Sequence, residues 1–95
     1  MYDVKAHSKY AKRFKKLLNS LSANDSKKLK LFLQSTPKGN KTSHTTCKKI
    51  KNNYQFDVPG AKGNRVIYRV FADSKTVLLL FAGNHEDAKS FIKNL

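Results

Sequence analysis

Apolar residues follow a helical spacing in the first part of the chain. They are separated by 4, 3, 1 and 3 positions and therefore fall on one side of a helix: Tyr10, Phe14, Leu17, Leu18 and Leu21. Ser8 precedes this run and is the predicted N-cap. The positions between the apolar residues are basic, and they indicate a solvated helix face or a surface for an anionic partner: Lys9, Lys12, Arg13, Lys15 and Lys16.

A second amphipathic run follows almost at once. Its apolar stripe consists of Leu29, Phe32 and Leu33. The helix is predicted to begin near Ser22 or Asn24, which puts Asp25 at its positive end. Residues 37–40, Pro-Lys-Gly-Asn, end it because Pro cannot continue a helix and Gly-Asn tolerates left-handed backbone. Since very few residues join the two helices, an antiparallel helical hairpin is expected.

Alternating apolar and polar residues predict strands at 2–6, 48–58, 65–71 and 76–82. Polar or Gly-rich segments at 38–46, 59–63 and 72–75 predict loops and a turn. Gly83 and Asn84 end the last strand, and Asn84 caps a final helix from His85 to about Asn94. The predicted order is β-α-α-β-β-β-α in a single domain, residues 1–95. This is an α+β fold with a small, mainly antiparallel sheet and a helical hairpin packed on one face.

The net charge of the chain limits the classes of molecule that it can bind. The chain carries 20 Lys and Arg against 6 Asp and Glu, a net charge of +14, and 13 of those basic residues lie before residue 51. Such an excess predicts attraction to a polyanion, whether nucleic acid, an acidic protein or an anionic membrane. A membrane protein is not expected, because no apolar run reaches the length of about 18 residues that a span needs. Cys47 is the single cysteine, which excludes an intrachain disulfide and favours a reducing, cytoplasmic setting.

Arg65 and His85 lie near the open end of the predicted hairpin, which consists of strands 65–71 and 76–82. This pair indicates chemistry on a phosphate. Val66 and Tyr68 should face the helices, because burying Arg costs more than burying Tyr, so Arg65 and Arg69 lie on the opposite, open face. His85 follows the partner strand, whose end pairs close to Arg65. A guanidinium stabilises charge on a phosphodiester, and an imidazole moves protons near neutral pH. A capping role for His85 and solvated arginines are the alternatives.

Two segments carry a resemblance to a known family. They read Asn-Arg-Val-Ile-Tyr-Arg-Val from Asn64 and Leu-Leu-Leu-Phe-Ala-Gly-Asn-His up to His85. Together with the preceding helical hairpin and polar loop, they resemble the RelE/ParE superfamily of bacterial toxins, and the Gly-Asn-His ending is similar to that of YafQ-like members. The resemblance covers nearly the whole chain. It implies a type II toxin–antitoxin toxin, a ribosome-dependent mRNA endoribonuclease that uses the RNA's own 2′-hydroxyl without a metal or other cofactor.

The resemblance also assigns roles to residues. Arg65 matches the family's phosphate-contacting strand arginine, and His85 matches the position of a general acid or stabiliser. Asp57 is the carboxylate on the strand where relatives carry a Lys, Glu or His, which makes it the candidate base. An acid at a strand end or in a loop, without a catalytic role, is the alternative for Asp57. RelE itself has lysines on that strand, so a displaced lysine is the alternative base. The candidates for RNA contact are Lys48, Lys49, Lys51, Tyr54, Arg69 and Phe91, although Tyr54 and Phe91 also fit a core.

The same resemblance implies partners and leaves other functions open. The expected partners are a cognate antitoxin, in a toxin–antitoxin hetero-oligomer, together with the ribosome and mRNA. ParE-like relatives provide one alternative, a non-enzymatic inhibitor of DNA gyrase. The other is an inactive relative that only binds RNA, because the strand lysines of RelE and most of the C-terminal aromatic residues of several relatives are missing here.

Overall fold

The structure is a computed structural model that describes residues 1–35, 47–50, 52–58, 60 and 63–94, with the backbone alone at 47–50. Its elements are β1 (Asp3–Ala6), α1 (Ser8–Ser20), α2 (Ala23–Ser35), β2 (Cys47–Ile50), β3 (Asn53–Asp57), β4 (Asn64–Phe71), β5 (Thr76–Asn84) and α3 (His85–Lys93). The loop predicted at 38–46 lies outside the described residues, as does most of the one at 59–63. The helical hairpin, the β4–β5 hairpin and the final helix agree with the sequence analysis.

The strands form one sheet with the order β1-β5-β4-β3-β2. Strand β1 runs parallel to β5, and the three other neighbouring pairs are antiparallel. The predicted α+β fold with a mainly antiparallel sheet is therefore confirmed. Strand β4 lies at the centre, paired on both sides, so its side chains can meet partners from β3 and β5.

The single strand predicted at 48–58 is wrong in one respect, because the structure divides it into β2 and β3. Asn52 separates them with a φ of 66°, in the left-handed region that Asn tolerates better than most residues. The chain reverses there, and Ile50 pairs with Asn53 across the turn. The observed order thus has one strand more than predicted, β-α-α-β-β-β-β-α.

Helices α1 and α2 cover one face of the sheet. The core between these helices and the sheet contains Leu29, Leu33 and Phe32 of α2. The ring of Phe32 stacks on Phe56 of β3 at a centroid distance of 4.0 Å. The apolar stripe of α2 is therefore confirmed. The predicted N-cap of α1 is wrong, because His7 takes that place and its Nδ1 accepts the N–H of Lys9. None of the helices in the described ranges is long and apolar enough to cross a membrane.

Helix α3 covers part of the other sheet face, which the sequence analysis left open. Ile67 and Phe81 are buried there against Ala88, and Tyr10 and Phe91 pack around them. A β-bulge makes this possible, because Tyr68 pairs with Leu79 while the preceding Ile67 pairs with Phe81. The extra residue on β5 places Phe81 on the same sheet face as Ile67, where α3 and Tyr10 of α1 cover it.

Candidate active site

Arg65 lies near the open end of the β4–β5 hairpin. It pairs in the sheet with Gly83 on β5 and with Asp57 on β3. Its Nε is 3.1 Å from Oδ1 of Asp57, and the two side chains are 25% and 44% exposed. A partly exposed ion pair adds little stability, because water screens it and both side chains lose freedom. Its main consequence is orientation, since it fixes the guanidinium beside a carboxylate at the sheet surface.

His85 begins α3 at the same end of the hairpin. It follows Asn84, which pairs with Asn64 and whose side-chain oxygen accepts the N–H of Asp87 at 2.8 Å. The N–H of His85 donates to the carbonyl of Gly63 at 2.7 Å. Because Gly83 lies opposite Arg65, His85 starts two residues further on, roughly 7 Å along the strand direction. The predicted register, with the end of β5 beside Arg65, is confirmed.

Gly83 is required here by the ring of Phe81. A Cβ at position 83 would lie 2.9 Å from Cζ and 3.3 Å from Cε2 of that ring. The ring is 2% exposed and held by Phe91 at a centroid distance of 5.2 Å, so it has little room to move. We expect Gly83→Ala to lower the free energy of unfolding by about 1–3 kcal/mol, the usual cost of overpacking, in urea denaturation.

A double-mutant cycle separates this clash from other effects of the substitution. In a Phe81→Leu background the smaller side chain leaves room for the new methyl group. Gly83→Ala should then cost at least about 0.5 kcal/mol less than in the parent chain. Equal costs in the two backgrounds would show that the ring of Phe81 does not impose glycine at position 83.

A row of polar residues on β3 continues the site along the same sheet face. Asn53 is 1% exposed, and its Oδ1 accepts the Nε–H of Arg69 at 3.0 Å. Gln55 is 5% exposed, and its Oε1 has no hydrogen-bond partner within the part of the chain that the structure describes. Asp57 completes the row. Asn53 and Gln55 were not among the predicted site residues, although polar residues at alternate positions were the available signal.

The remaining predicted contacts divide between the two faces. Tyr54 lies on the face covered by α1 and α2, where it packs against the core and stacks on Tyr68 at 5.9 Å. Phe91 packs against Phe81 and Tyr10 beneath α3. Whether these two aromatic residues also contact RNA stays a prediction. Both have the packing role that the sequence analysis named as the alternative.

Two of the three lysines predicted to contact RNA lie on the edge strand β2, and the third lies outside the described residues. Lys48 and Lys49 belong to β2, where their backbones pair with Gln55 and Tyr54. The side chains of both are outside the described part of the structure, and so is all of Lys51. Their roles stay predictions.

Comparison with known proteins rests on structure alone. No protein-family model matches the sequence, and no curated protein matches it. A metal-bound toxin from Helicobacter pylori matches with a TM-score of 0.68 and 15% identity, over 92% of this chain and 98% of that one. Free E. coli RelE carrying two arginine-to-alanine substitutions matches with a TM-score of 0.59 and 15% identity, over 99% and 97%. The chain has the RelE-like toxin fold.

An archaeal RelE also has this fold. RelE in the RelE–RelB complex of Pyrococcus horikoshii matches with a TM-score of 0.55 and 20% identity, over 88% of this chain and 94% of that one. At these identities the RelE-like fold is shared without close sequence similarity. Among the residues that the present structure describes, no three His, Cys, Asp or Glu side chains are grouped so that they could hold a metal ion.

Proposed function

We propose that this protein is the toxin of a type II toxin–antitoxin module and that it cleaves mRNA on the ribosome. The RelE-like fold supports the toxin role, and the strongly positive charge supports contact with RNA. The observation that carries the enzymatic part is the grouping of Asp57, Arg65 and His85 at one end of the hairpin. A base, a cation and an acid are the three groups that phosphodiester cleavage by internal attack requires.

The proposed reaction assigns one step to each group. Asp57 accepts the proton of the 2′-hydroxyl, whose oxygen attacks the adjacent phosphorus. Arg65 donates hydrogen bonds to the phosphoryl oxygens and stabilises the charge that develops on them. His85 gives its proton to the departing 5′-oxygen as the phosphorus–oxygen bond breaks. The products are a 2′,3′-cyclic phosphate and a 5′-hydroxyl, so protons and bonds balance without hydrolysis.

The contact between Asp57 and Arg65 also explains how the base is held. The guanidinium fixes the carboxylate at the sheet surface, and substrate phosphate would draw Arg65 toward itself and release the carboxylate for proton transfer. Lys48, Lys49 and Lys51 remain the alternative source of the base. Asp57 therefore needs its own test.

We expect Asp57→Asn to lower the cleavage rate by about tenfold or more, because the amide keeps the shape but accepts a proton poorly. Single-turnover cleavage on programmed ribosomes is the measurement. Cleavage by Asp57→Asn at the parent rate would leave the base to a lysine.

Antitoxin control follows from the same proposal. The P. horikoshii neighbour was solved in a complex with RelB, and a second structure of the doubly substituted E. coli RelE contains a RelB peptide. We infer that an antitoxin encoded beside this chain binds it in a hetero-oligomer in the cytoplasm. Induction of the toxin should arrest growth, and co-expression of the neighbouring protein should restore it.

Two assays with one protein preparation test the function directly. Purified protein is added to ribosomes programmed with a defined mRNA and, separately, to a DNA gyrase supercoiling reaction. Cleavage at ribosome-bound codons with 2′,3′-cyclic phosphate ends supports the proposal. Gyrase inhibition without cleavage would replace it with the ParE-like function, and binding to RNA with neither effect would indicate an inactive relative.

A further inference from the structure

A groove lies on the opposite side of the hairpin end from Arg65. Its volume is about 510 Å³, and it runs between the second half of α1 and the last residues of β5. Arg13 and Lys16 line the α1 wall, and Asn64 and Asn84 line the strand wall. The volume falls in the range of about 300–1,000 Å³ that is typical of pockets for small ligands.

The cations of this groove are available to a ligand. Within the described residues, neither Arg13 nor Lys16 forms an ion pair, although the carboxylate of Asp87 lines the same groove. The Arg13 guanidinium lies over the ring of Tyr10, with Cζ 5.6 Å from the ring centroid. Such a contact steadies the side chain and leaves its N–H groups free to donate at its edge.

The two walls of the groove differ in chemistry, as the phosphate and the base of a nucleotide do. Arg13 and Lys16 match a phosphate. The amide of Asn64, the Nδ2 donor of Asn84, whose oxygen caps α3, and the carboxylate of Asp87 match the donors and acceptors of a base edge. Asp87 would repel an anion, so the phosphate must face α1 and the base must face the strands. An acidic peptide fits less well, because its carboxylates would meet Asp87.

The groove also adjoins the hairpin end that carries the candidate active site. Gly83 lines it and pairs with Arg65 on the neighbouring strand, and Asn84 directly precedes His85. A chain whose phosphate lies at Arg65 therefore needs to pass only the end of the hairpin to enter the groove. We propose that this groove binds a nucleotide of single-stranded RNA that flanks the scissile phosphate, an inference that rests on the proposed endoribonuclease function.

Binding to a non-cleavable RNA tests this proposal without requiring activity. The probe is a labelled single-stranded RNA of about ten nucleotides with one 2′-deoxy position at the scissile step, a length within the range that RNA- and DNA-binding grooves cover. Arg13→Gln/Lys16→Gln removes the groove cations. Lys12→Gln/Lys15→Gln is the matched control, because it removes equal charge from exposed positions of α1 that do not line the groove.

Fluorescence anisotropy at several salt concentrations gives the result. We expect the groove variant to lose about tenfold or more in affinity and its salt dependence to become shallower by about 1.4 in log–log slope, for two lost phosphate contacts. The control pair should lose about threefold at most. Equal losses of affinity in the two double variants would overturn the proposal, because they would show that RNA is attracted to the overall charge of α1 and does not bind in the groove.

Base recognition provides an independent measurement. Asn64→Ala should alter the ranking of RNAs that differ at one flanking base, without changing the salt slope. An unchanged ranking would remove the base-reading part of the proposal. Failure of the enzymatic function is distinguishable, because a wild-type protein that never cuts mRNA can still show the selective loss of RNA binding in the groove variant.

Discussion

Arg65→Ala and His85→Ala should each lower ribosome-dependent mRNA cleavage by about 100-fold or more. Acid–base groups and oriented cations typically contribute at least this much to a reaction rate. Neither side chain belongs to the buried core, so both variants should fold, and circular dichroism checks this. Single-turnover cleavage on programmed ribosomes is the appropriate measurement, since it separates the chemical step from product release.

Two substitutions elsewhere in the chain serve as controls. His7→Asn changes another histidine at a helix start, and asparagine can replace its capping role, so cleavage should stay near the parent rate. Arg69→Ala removes the other arginine of β4, which donates to Asn53, and should weaken RNA binding more than it slows the chemical step. Parent-like cleavage by both Arg65→Ala and His85→Ala would refute the site assignment.

Salt should have opposite effects on RNA binding and on folding. A protein that contacts six or more phosphates loses about 10³-fold or more in affinity between 50 and 200 mM salt, because each contact releases counterions. The free protein, by contrast, repels itself through its net charge of +14, and the same salt screens that repulsion. We therefore expect ribosome affinity to fall steeply while stability rises.

Filter binding to ribosomes and urea denaturation, each over the same salt series, measure the two effects. Urea is preferable to guanidinium chloride, which is itself a salt. A ribosome affinity that changes by less than about tenfold would mean that few phosphates are contacted. The basic side chains of α1 and α2 would then be a solvated surface, the alternative that the sequence analysis kept for α1.

The parts of the fold that the sequence predicted depend on local patterns. The stripe of Leu29, Phe32 and Leu33 has helical spacing, and Asn84 combines a strand ending with a capping side chain. The turn at Asn52 was missed because the alternation of β2 and β3 continues through it. Its signal, two consecutive asparagines, becomes decisive only when the two strands pair.

The candidate site was predictable to the extent that it depends on register. A hairpin centred near residues 73–74 brings the residue before His85 toward Arg65 by geometry alone, and the structure pairs Asn64 with Asn84. The burial of Gln55 was not predictable, because it depends on tertiary packing. The groove was not predictable either, since it joins α1 to residues about forty to seventy positions later that only the folded chain brings together.

The bulge on β5 sets which residue lies opposite Arg65. The pairs Tyr68–Leu79 and Arg65–Gly83 enclose two residues on β4 and three on β5, so β5 carries one residue more than a regular ladder needs. If the ladder were regular with Leu80 retained, Ala82 would lie opposite Arg65 and Phe81 would turn to the other sheet face. A chain with one residue fewer in this segment can keep Gly83 opposite Arg65 without a bulge. An alignment of related chains can therefore accept a gap of one residue between Leu79 and Gly83, whereas the segment from Gly83 to His85 should align without gaps.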